Sequence, residues 1–296
     1  MSGPAYMRLA DGRLHLQHGP VDVLVECWGE ADEVEAGYAQ ATARFATLLE
    51  ELVGELPRLR EPVAVHYPLL RGAVARRMAA AVWPHRDVFI TPMAAVAGAV
   101  ADELMEALLA GRRLLKAYVN DGGDIALHIA QGETMDIAIV DDIARPAPGA
   151  CVRIPAALPV RGVATSGWRG RSQSLGIADA VTVLAHTAAA ADAAATMIAN
   201  AVNIEHPAVE RAPARRVKED SDLGDLPVTV SVGPLPVRHV EEALQNGAAR
   251  AADLQARGLI HAAYLSAQGI KAVVCGADAR KLPTTASRRV QQEIRP

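Results

Sequence analysis

The stretch that most constrains the fold of this chain runs from Val160 to Asn203. It opens with an extended apolar segment, breaks at a polar turn containing Thr165, Ser166 and Gly167, and resumes as a predicted strand from Asp179 to Ala185. It ends in a predicted helix built almost entirely of alanine and other small residues. Small side chains let neighbouring backbones approach closely, so we expect this helix to be packed tightly against other elements.

A row of polar residues interrupts this alanine helix. Asp192, Thr196, Asn200 and Asn203 follow one another at spacings of 4, 4 and 3 residues, which places them on one face of a helix. A face turned to solvent usually carries Lys and Glu instead. The pattern therefore predicts that these side chains line a site.

Composition excludes several classes of protein. The formal net charge of -4 over 296 residues gives no basic surface of the kind that binds nucleic acid. No apolar run has transmembrane length, and the first residues lack the pattern of a signal peptide, so we predict no membrane segment. Cys27, Cys151 and Cys275 are far apart and fit neither a disulfide framework nor a zinc site, which favours the cytoplasm.

The remaining patterns predict an α+β protein with a single domain over residues 1–296. A hairpin is predicted over Gly12–Trp28, a surface loop over 204–227 and a loosely ordered tail over 278–296. The predicted helices are Ala31–Leu56, which ends before Pro57, then Leu69–Trp83, Met93–Ala110 and Val240–Gly258. The predicted strands are Asp87–Ile90, Leu114–Val119, Ile125–Ala130, Met135–Val140, Cys151–Pro155, Val160–Thr165, Val228–Val232, Ile260–Leu265 and Ile270–Cys275.

Two short motifs allow both a structural and a functional interpretation. Ala94, Ala97, Gly98 and Ala101 form a row of small side chains on one helix face, for which close packing is the favoured explanation and a ligand the alternative. The loop from Asn120 to Asp124 reads NDGGD. It is a tight turn, or a place where amides approach a ligand without an intervening Cβ, and the residues favour neither.

The motifs TSG (165–167), ADAAAT (191–196), GGD (122–124) and the helix PMAAVAGAVAD (92–102) occur in an order that resembles the ApbE-like superfamily. The resemblance covers roughly Pro62 to Asn203, and it is strongest to the uncharacterised prokaryotic sister family of the ApbE flavin transferases. It implies an ApbE-like α+β fold with two pseudo-repeated halves, in which mostly antiparallel sheets are flanked by Ala-rich helices.

The same resemblance implies a site. ApbE proteins transfer FMN from FAD to a protein threonine and hold Mg²⁺ with an Asp and a Thr that correspond here to Asp192 and Thr196. Carboxylate and hydroxyl oxygens suit such a hard cation. The family's nucleotide-binding loop corresponds to Gly122, Gly123 and Asp124, and its neighbouring turn to Thr165, Ser166 and Gly167. A phosphate-bearing ligand, FAD or FMN, and Mg²⁺ are thus the expected ligands.

The chain also departs from the transferases. Ala97 stands where they have lysine, and the short segment WRGRSQSLGI (168–177) replaces a longer one with paired histidines. Arg169 and Arg171 in this segment either supply positive charge to a phosphate or form a solvated turn. Two hypotheses follow: an Mg²⁺-dependent cofactor-binding or transferase-like enzyme, and a non-catalytic binding or assembly module. The Ala-rich faces are compatible with a homodimer.

Overall fold

The computed structural model describes residues 3–141 and 148–276, and the tail predicted over 278–296 lies outside them. The strands are β1 (Ala5–Arg8), β2 (Leu14–His18), β3 (Val21–Gly29), β4 (Leu114–Asp121), β5 (Asp124–Ile129), β6 (Thr134–Val140), β7 (Pro148–Pro155), β8 (Gly162–Ser166), β9 (Ala180–Ala185), β10 (Val209–Pro213), β11 (Pro227–Val232), β12 (Ala262–Ala267) and β13 (Ile270–Cys275). The α-helices are α1 (Ala31–Leu59), α2 (Ala73–Val82), α3 (Val96–Leu109), α4 (Ala188–Ala201), α5 (Ala214–Val217) and α6 (Val237–Ala256).

Contacts between Cα atoms group the chain into two compact units. Of the described residues, the first unit comprises 3–133, 159–164 and 184–194, and the second comprises 134–141, 148–158, 165–183 and 195–276. The single domain predicted over 1–296 therefore stays a prediction, as does the pseudo-repeat of two halves.

The first unit is a sheet covered by helices. Its strands are ordered β1-β2-β3-β4-β5-β8, and the pairs from β1 to β8 are antiparallel. The apolar sides of α1 and α3 pack against this sheet, and α2 packs against α1 and α3. Four side chains at the centre of this core are fully buried: Leu16, Leu48, Met78 and Leu104. The burial of these side chains removes apolar surface from water and stabilises the unit.

The second unit contains three small β assemblies. β12 and β13 pair antiparallel beside β9, while β6 pairs with β7 and β10 with β11 in antiparallel ribbons. Helix α6 buries Val240, Leu244 and Leu254. Mostly antiparallel strands with Ala-rich helices confirm the predicted α+β class.

Several predicted boundaries are wrong, each because a long-range contact overrides a local signal. Residues 204–227 are not a continuous loop, since β10 pairs with β11 and α5 follows it. Helix α2 begins at Ala73 rather than Leu69, because Glu55 of α1 accepts hydrogen bonds from the amides of Arg71 and Gly72 just before it. Residues 87–90 form no strand, and there the Ile90 carbonyl instead accepts the Val63 amide.

Helix α1 continues through Pro57 to Leu59, although the proline predicted its end. The amide that Pro57 lacks would have bonded to the carbonyl of Val53, and Val53 lies on an exposed part of the helix, where a missing hydrogen bond costs less than in the core. Helix α3 is shorter than predicted, because a 3₁₀ turn over Pro92–Ala95 precedes its start at Val96.

Candidate functional site

The first turn of α4 packs closely against two glycines, Gly98 of α3 and Gly162 of β8. In the first unit, a Cβ added to Gly98 of α3 would overlap the carbonyl of Ala188 and lie 2.7 Å from the Ala189 amide nitrogen. A Cβ added to Gly162 of β8 would overlap the carbonyl of Thr187. Close approach of α4 thus accounts for the glycine in the small-residue row of α3, as the packing interpretation predicts.

Asp102 of α3 holds the start of α4. Its two carboxylate oxygens accept hydrogen bonds from the amides of Ala188, at 3.0 Å, and Ala189, at 2.9 Å. These amides have no partner inside their own helix, and a carboxylate at this end is favoured by the helix dipole. Burial nevertheless raises the pKa of Asp102, while the two amides act in the opposite direction.

Asp192 makes the corresponding contact in the other direction. Its Oδ2 atom accepts a hydrogen bond of 3.0 Å from the amide of Gly98, in the first turn of α3. Asp192 as a whole residue is partly exposed to solvent, but its carboxylate is surrounded by protein atoms. This burial raises the pKa of Asp192 to about 7, the Gly98 amide lowers it, and the negative charge of Asp121 raises it further.

Asp121 and Asp102 are parts of this environment that the sequence analysis missed. Asp121 ends β4 and is only 4% exposed. A usable signal existed, because Ala117, Val119 and Asp121 alternate along a strand and so share its buried face. For Asp102 the signal was its spacing of four residues from Gly98, which places both on one helix face.

The predicted Gly-Gly-Asp loop is a two-residue hairpin turn between β4 and β5. Gly122 has φ of 64° and Gly123 has φ of 110°, a backbone region that favours glycine and suits hairpin turns. The Gly123 amide donates to the side-chain oxygen of Asn120 at 2.8 Å. Turn geometry alone therefore explains both glycines. The assignment of Gly122, Gly123 and Asp124 to a nucleotide site stays a prediction.

The Thr-Ser-Gly turn belongs to the second unit. The hydroxyl groups of Thr165 and Thr182 are 2.8 Å apart and share a hydrogen bond between β8 and β9. A Cβ on Gly167 would overlap the carbonyl of Asp179, so this glycine has a packing reason. Ser166 is the last residue of β8. Ligand binding by Thr165, Ser166 and Gly167 stays a prediction.

The two arginines after this turn differ in their surroundings. Arg169 Nη1 forms an ion pair of 2.9 Å with Asp179, and its guanidinium lies over the ring of Trp168, 4.6 Å from the ring centroid. Arg171 is exposed. The charge of Arg169 is therefore partly satisfied by Asp179, and the binding of a phosphate by Arg171 stays a prediction.

The second half of the polar row on α4 is structural. The side-chain oxygen of Asn200 accepts hydrogen bonds from the Ser174 hydroxyl at 3.1 Å and the Leu175 amide at 2.9 Å. Asn203 lies beyond the end of α4 and donates to the carbonyl of Leu175 at 3.0 Å. Both asparagines therefore hold the segment between β8 and β9 in place, and the prediction that they line a ligand site stays a prediction.

Thr196, the predicted partner of Asp192, lies one turn further along α4 and belongs to the second unit. Helical spacing puts the two side chains on the same side of the helix, as the sequence predicts. Their role as a pair of metal ligands stays a prediction.

The match to a protein-family model extends over nearly the whole described chain. A family model described as "AbpE bacteria" matches residues 6–275. The chain belongs to this family. The match confirms the predicted place in the ApbE-like superfamily, as the sister family of the ApbE flavin transferases.

Curated relatives of this AbpE-family chain come from archaea. It is 40% identical over 149 residues to a UPF0280 protein of Methanopyrus kandleri, which covers 48% of this chain and 56% of that protein. It is 40% identical over 115 residues to a UPF0280 protein of Methanothrix thermoacetophila, covering 38% and 46%. The chain thus matches about half the length of these relatives.

Among solved structures, this AbpE-family chain is similar to the flavin transferase ApbE of Vibrio cholerae, with 12% identity and a TM-score of 0.45 over 94% of this chain and 100% of that one. It is similar to the apo form of the flavinyl transferase ApbE of Pseudomonas stutzeri, with 14% identity and a TM-score of 0.45 over 93% and 95%. The described residues form no helix with the length and apolarity needed to cross a membrane.

Proposed function

We propose that this protein binds a phosphate-bearing cofactor, FAD or FMN, together with Mg²⁺, and that it acts on that cofactor as a transferase-like enzyme. The observation that supports this most is the position of Asp192. A carboxylate on an Ala-rich helix is crowded by protein and turned toward the first turn of a neighbouring helix. Two further carboxylates, Asp121 and Asp102, act on it through their negative charge.

The donor set around Asp192 fits Mg²⁺ better than a cation that needs a full protein cage. Within 3–141 and 148–276, no group of three or more His, Cys, Asp or Glu side chains could hold a metal ion. Mg²⁺ commonly uses one or two carboxylates, with water and substrate phosphates as its other ligands. Asp192 would supply the carboxylate, Thr196 a hydroxyl, and the cofactor its phosphate oxygens. The bound cation would offset the negative charge gathered there.

A titration of the protein with FAD by calorimetry tests this proposal. With Mg²⁺ present we expect binding, and with EDTA a loss of affinity of about tenfold or more, since the phosphates lose their bridge to the protein. Asp192→Asn keeps an oxygen for the Gly98 amide but removes the charge, so its affinity should be equally low in both buffers. The control is Asp22→Asn, which removes an exposed carboxylate of β3 paired with His15.

Each result of this titration has a definite meaning. A variant Asp192→Asn that binds FAD with unchanged Mg²⁺ dependence would contradict the metal assignment. If the wild-type protein binds FAD and Mg²⁺, release of FMN or AMP from FAD is the next measurement, and it distinguishes a transferase-like enzyme from a binding protein.

The alternative is a non-catalytic binding or assembly module, and it too has an observation in its favour. Asp192 already satisfies the Gly98 amide, and Asn200 and Asn203 already satisfy local backbone groups. These contacts are sufficient to explain three polar residues of the row without any ligand. Absence of FAD binding in both buffers would support this alternative. The cytoplasmic location stays a prediction.

We also propose that the chain forms a homodimer in which the loop 61–69 of one copy meets the same loop of the other. Val65 and Leu69 in this loop are 82% and 84% exposed, an unusual exposure for two neighbouring large apolar side chains. A cavity of about 680 Å³ lies beside them, bordered by Arg58 and Glu61. The opposite charges of these two residues make the surface complementary to itself about a two-fold axis.

For this surface we predict that Leu69→Asp reduces the mass measured by light scattering at micromolar concentration from two chains to one. A buried carboxylate without a partner is strongly unfavourable in an interface, whereas in the monomer this side chain is in water. Leu115→Asp, at an exposed position of β4, should leave the mass at two chains. A wild-type protein that is monomeric in the same measurement would disprove the dimer.

A further inference from the structure

Helices α3 and α4 are joined by two contacts of the same kind, in opposite directions. Asp102 of α3 accepts the amides of Ala188 and Ala189, at 3.0 and 2.9 Å, in the first turn of α4. Asp192 of α4 accepts the amide of Gly98, at 3.0 Å, in the first turn of α3. Each helix therefore supplies a carboxylate to the other's unpaired amides.

The spacing of these residues couples the two sets of hydrogen bonds to each other. Asp102 lies four residues, about one helical turn, after Gly98, whose amide bonds to Asp192. Asp192 likewise lies four residues after Ala188, whose amide bonds to Asp102. The contact surfaces at Gly98 and Ala188 already touch, since a Cβ on Gly98 has no room. A shift of the first turn of α4 must therefore change the distance between Asp192 and the Gly98 amide.

We infer that Asp102 is a positioning residue: by fixing the first turn of α4, it sets where the carboxylate of Asp192 stands relative to α3. Removal of Asp102 leaves the amides of Ala188 and Ala189 without their acceptor in a buried place, which favours movement of that turn. The consequence for cation binding rests on the proposed function, whereas the geometric consequence does not.

Two measurements on Asp102→Ala test the two parts separately. The first is the amide proton shift of Gly98 in ¹⁵N-labelled, metal-free protein, which reports the hydrogen bond to Asp192. We expect it to move upfield as that bond lengthens. The second is the Mg²⁺ affinity in the presence of FAD, which we expect to fall by about tenfold or more, the range typical of residues that orient a metal ligand.

Glu103→Gln provides a matched control, because Glu103 is the next residue of α3 and pairs with Arg44 and Arg77 rather than with α4. It should lower the stability of the protein and leave both the Gly98 shift and the Mg²⁺ affinity unchanged. Asp102→Asn retains one acceptor oxygen and should give intermediate values. This variant also provides the test if Asp102→Ala does not fold.

The outcomes are distinguishable. An unchanged Gly98 shift in a folded Asp102 variant would overturn the inference, whatever the protein binds. A moved shift with unchanged Mg²⁺ affinity would overturn the positioning role for the metal. If the wild-type protein binds neither Mg²⁺ nor FAD, the proposed function fails, and the Gly98 shift still decides whether Asp102 positions Asp192.

Discussion

Replacement of Gly98 by alanine should destabilise the protein by about 3 kcal/mol, the upper part of the usual range for overpacking a core. The added methyl group would overlap the carbonyl of Ala188, which belongs to backbone and cannot rotate away. Relief requires a shift of the first turn of α4, and that shift disturbs the hydrogen bonds of both Asp102 and Asp192. Urea unfolding followed by circular dichroism measures the effect.

Gly54→Ala is the matched control for this experiment. Gly54 also lies inside a helix, α1, but nothing is within 4 Å of the place where its Cβ would stand. Alanine has a higher helix propensity than glycine, so this variant should be more stable than the wild type by about 0.5–1 kcal/mol. The same change from glycine to alanine should thus lower the free energy of unfolding at Gly98 and raise it at Gly54. A stabilised Gly98→Ala variant would contradict the close approach of α3 and α4.

The second large effect that we expect is a dependence of stability on pH that comes from Asp192. Its pKa is about 7 in the folded protein and lies near the ordinary value for aspartate in the unfolded chain. The folded state therefore binds the proton more tightly. The stabilisation of the folded protein by protonated Asp192 is fully present below the ordinary pKa of aspartate and is lost as the pH rises through about 7. In EDTA, the loss between pH 4.5 and pH 8 should be about 2–4 kcal/mol.

Asp192→Asn isolates this contribution, because the amide cannot titrate and still offers an oxygen to Gly98. The other acidic groups that face Asp192, Asp121 from β4 and Asp102 from α3, are present in both proteins, so the comparison reports the titration of Asp192 together with its electrostatic coupling to these two carboxylates. The difference in unfolding free energy between variant and wild type should grow from pH 4.5 to pH 8 in favour of the variant. A difference that stays constant over this range would show that Asp192 has an ordinary pKa.

Local patterns were enough to predict most of the fold. Alternating apolar residues predicted the hairpin of β2 and β3 and the strands β4, β5 and β6, because each half-buried strand has a period of two residues. The segment 204–217 was not predictable in this way, since its polar, proline-bearing sequence forms β10 only by pairing with β11. Tertiary pairing outweighs weak local propensity there.

The environment of Asp192 was predictable only in part. The spacing of Asp192, Thr196 and Asn200 predicted a polar row on α4, and the small residues around Gly98 predicted close packing. Neither pattern states that the two helices meet at their first turns, because a sequence pattern defines a face and not the element that covers it. The reciprocal contacts of Asp102 and Asp192 therefore required the structure.

The segment between β8 and β9 has the composition of a flexible turn, yet Asn200 and Asn203 fasten it at Ser174 and Leu175. Ordering a loop of this length on binding a ligand would cost conformational entropy for each residue that becomes fixed. Here that entropy is already lost in folding. A ligand that contacts Arg171 would meet a preorganised segment, and its affinity would not be reduced by the need to order it.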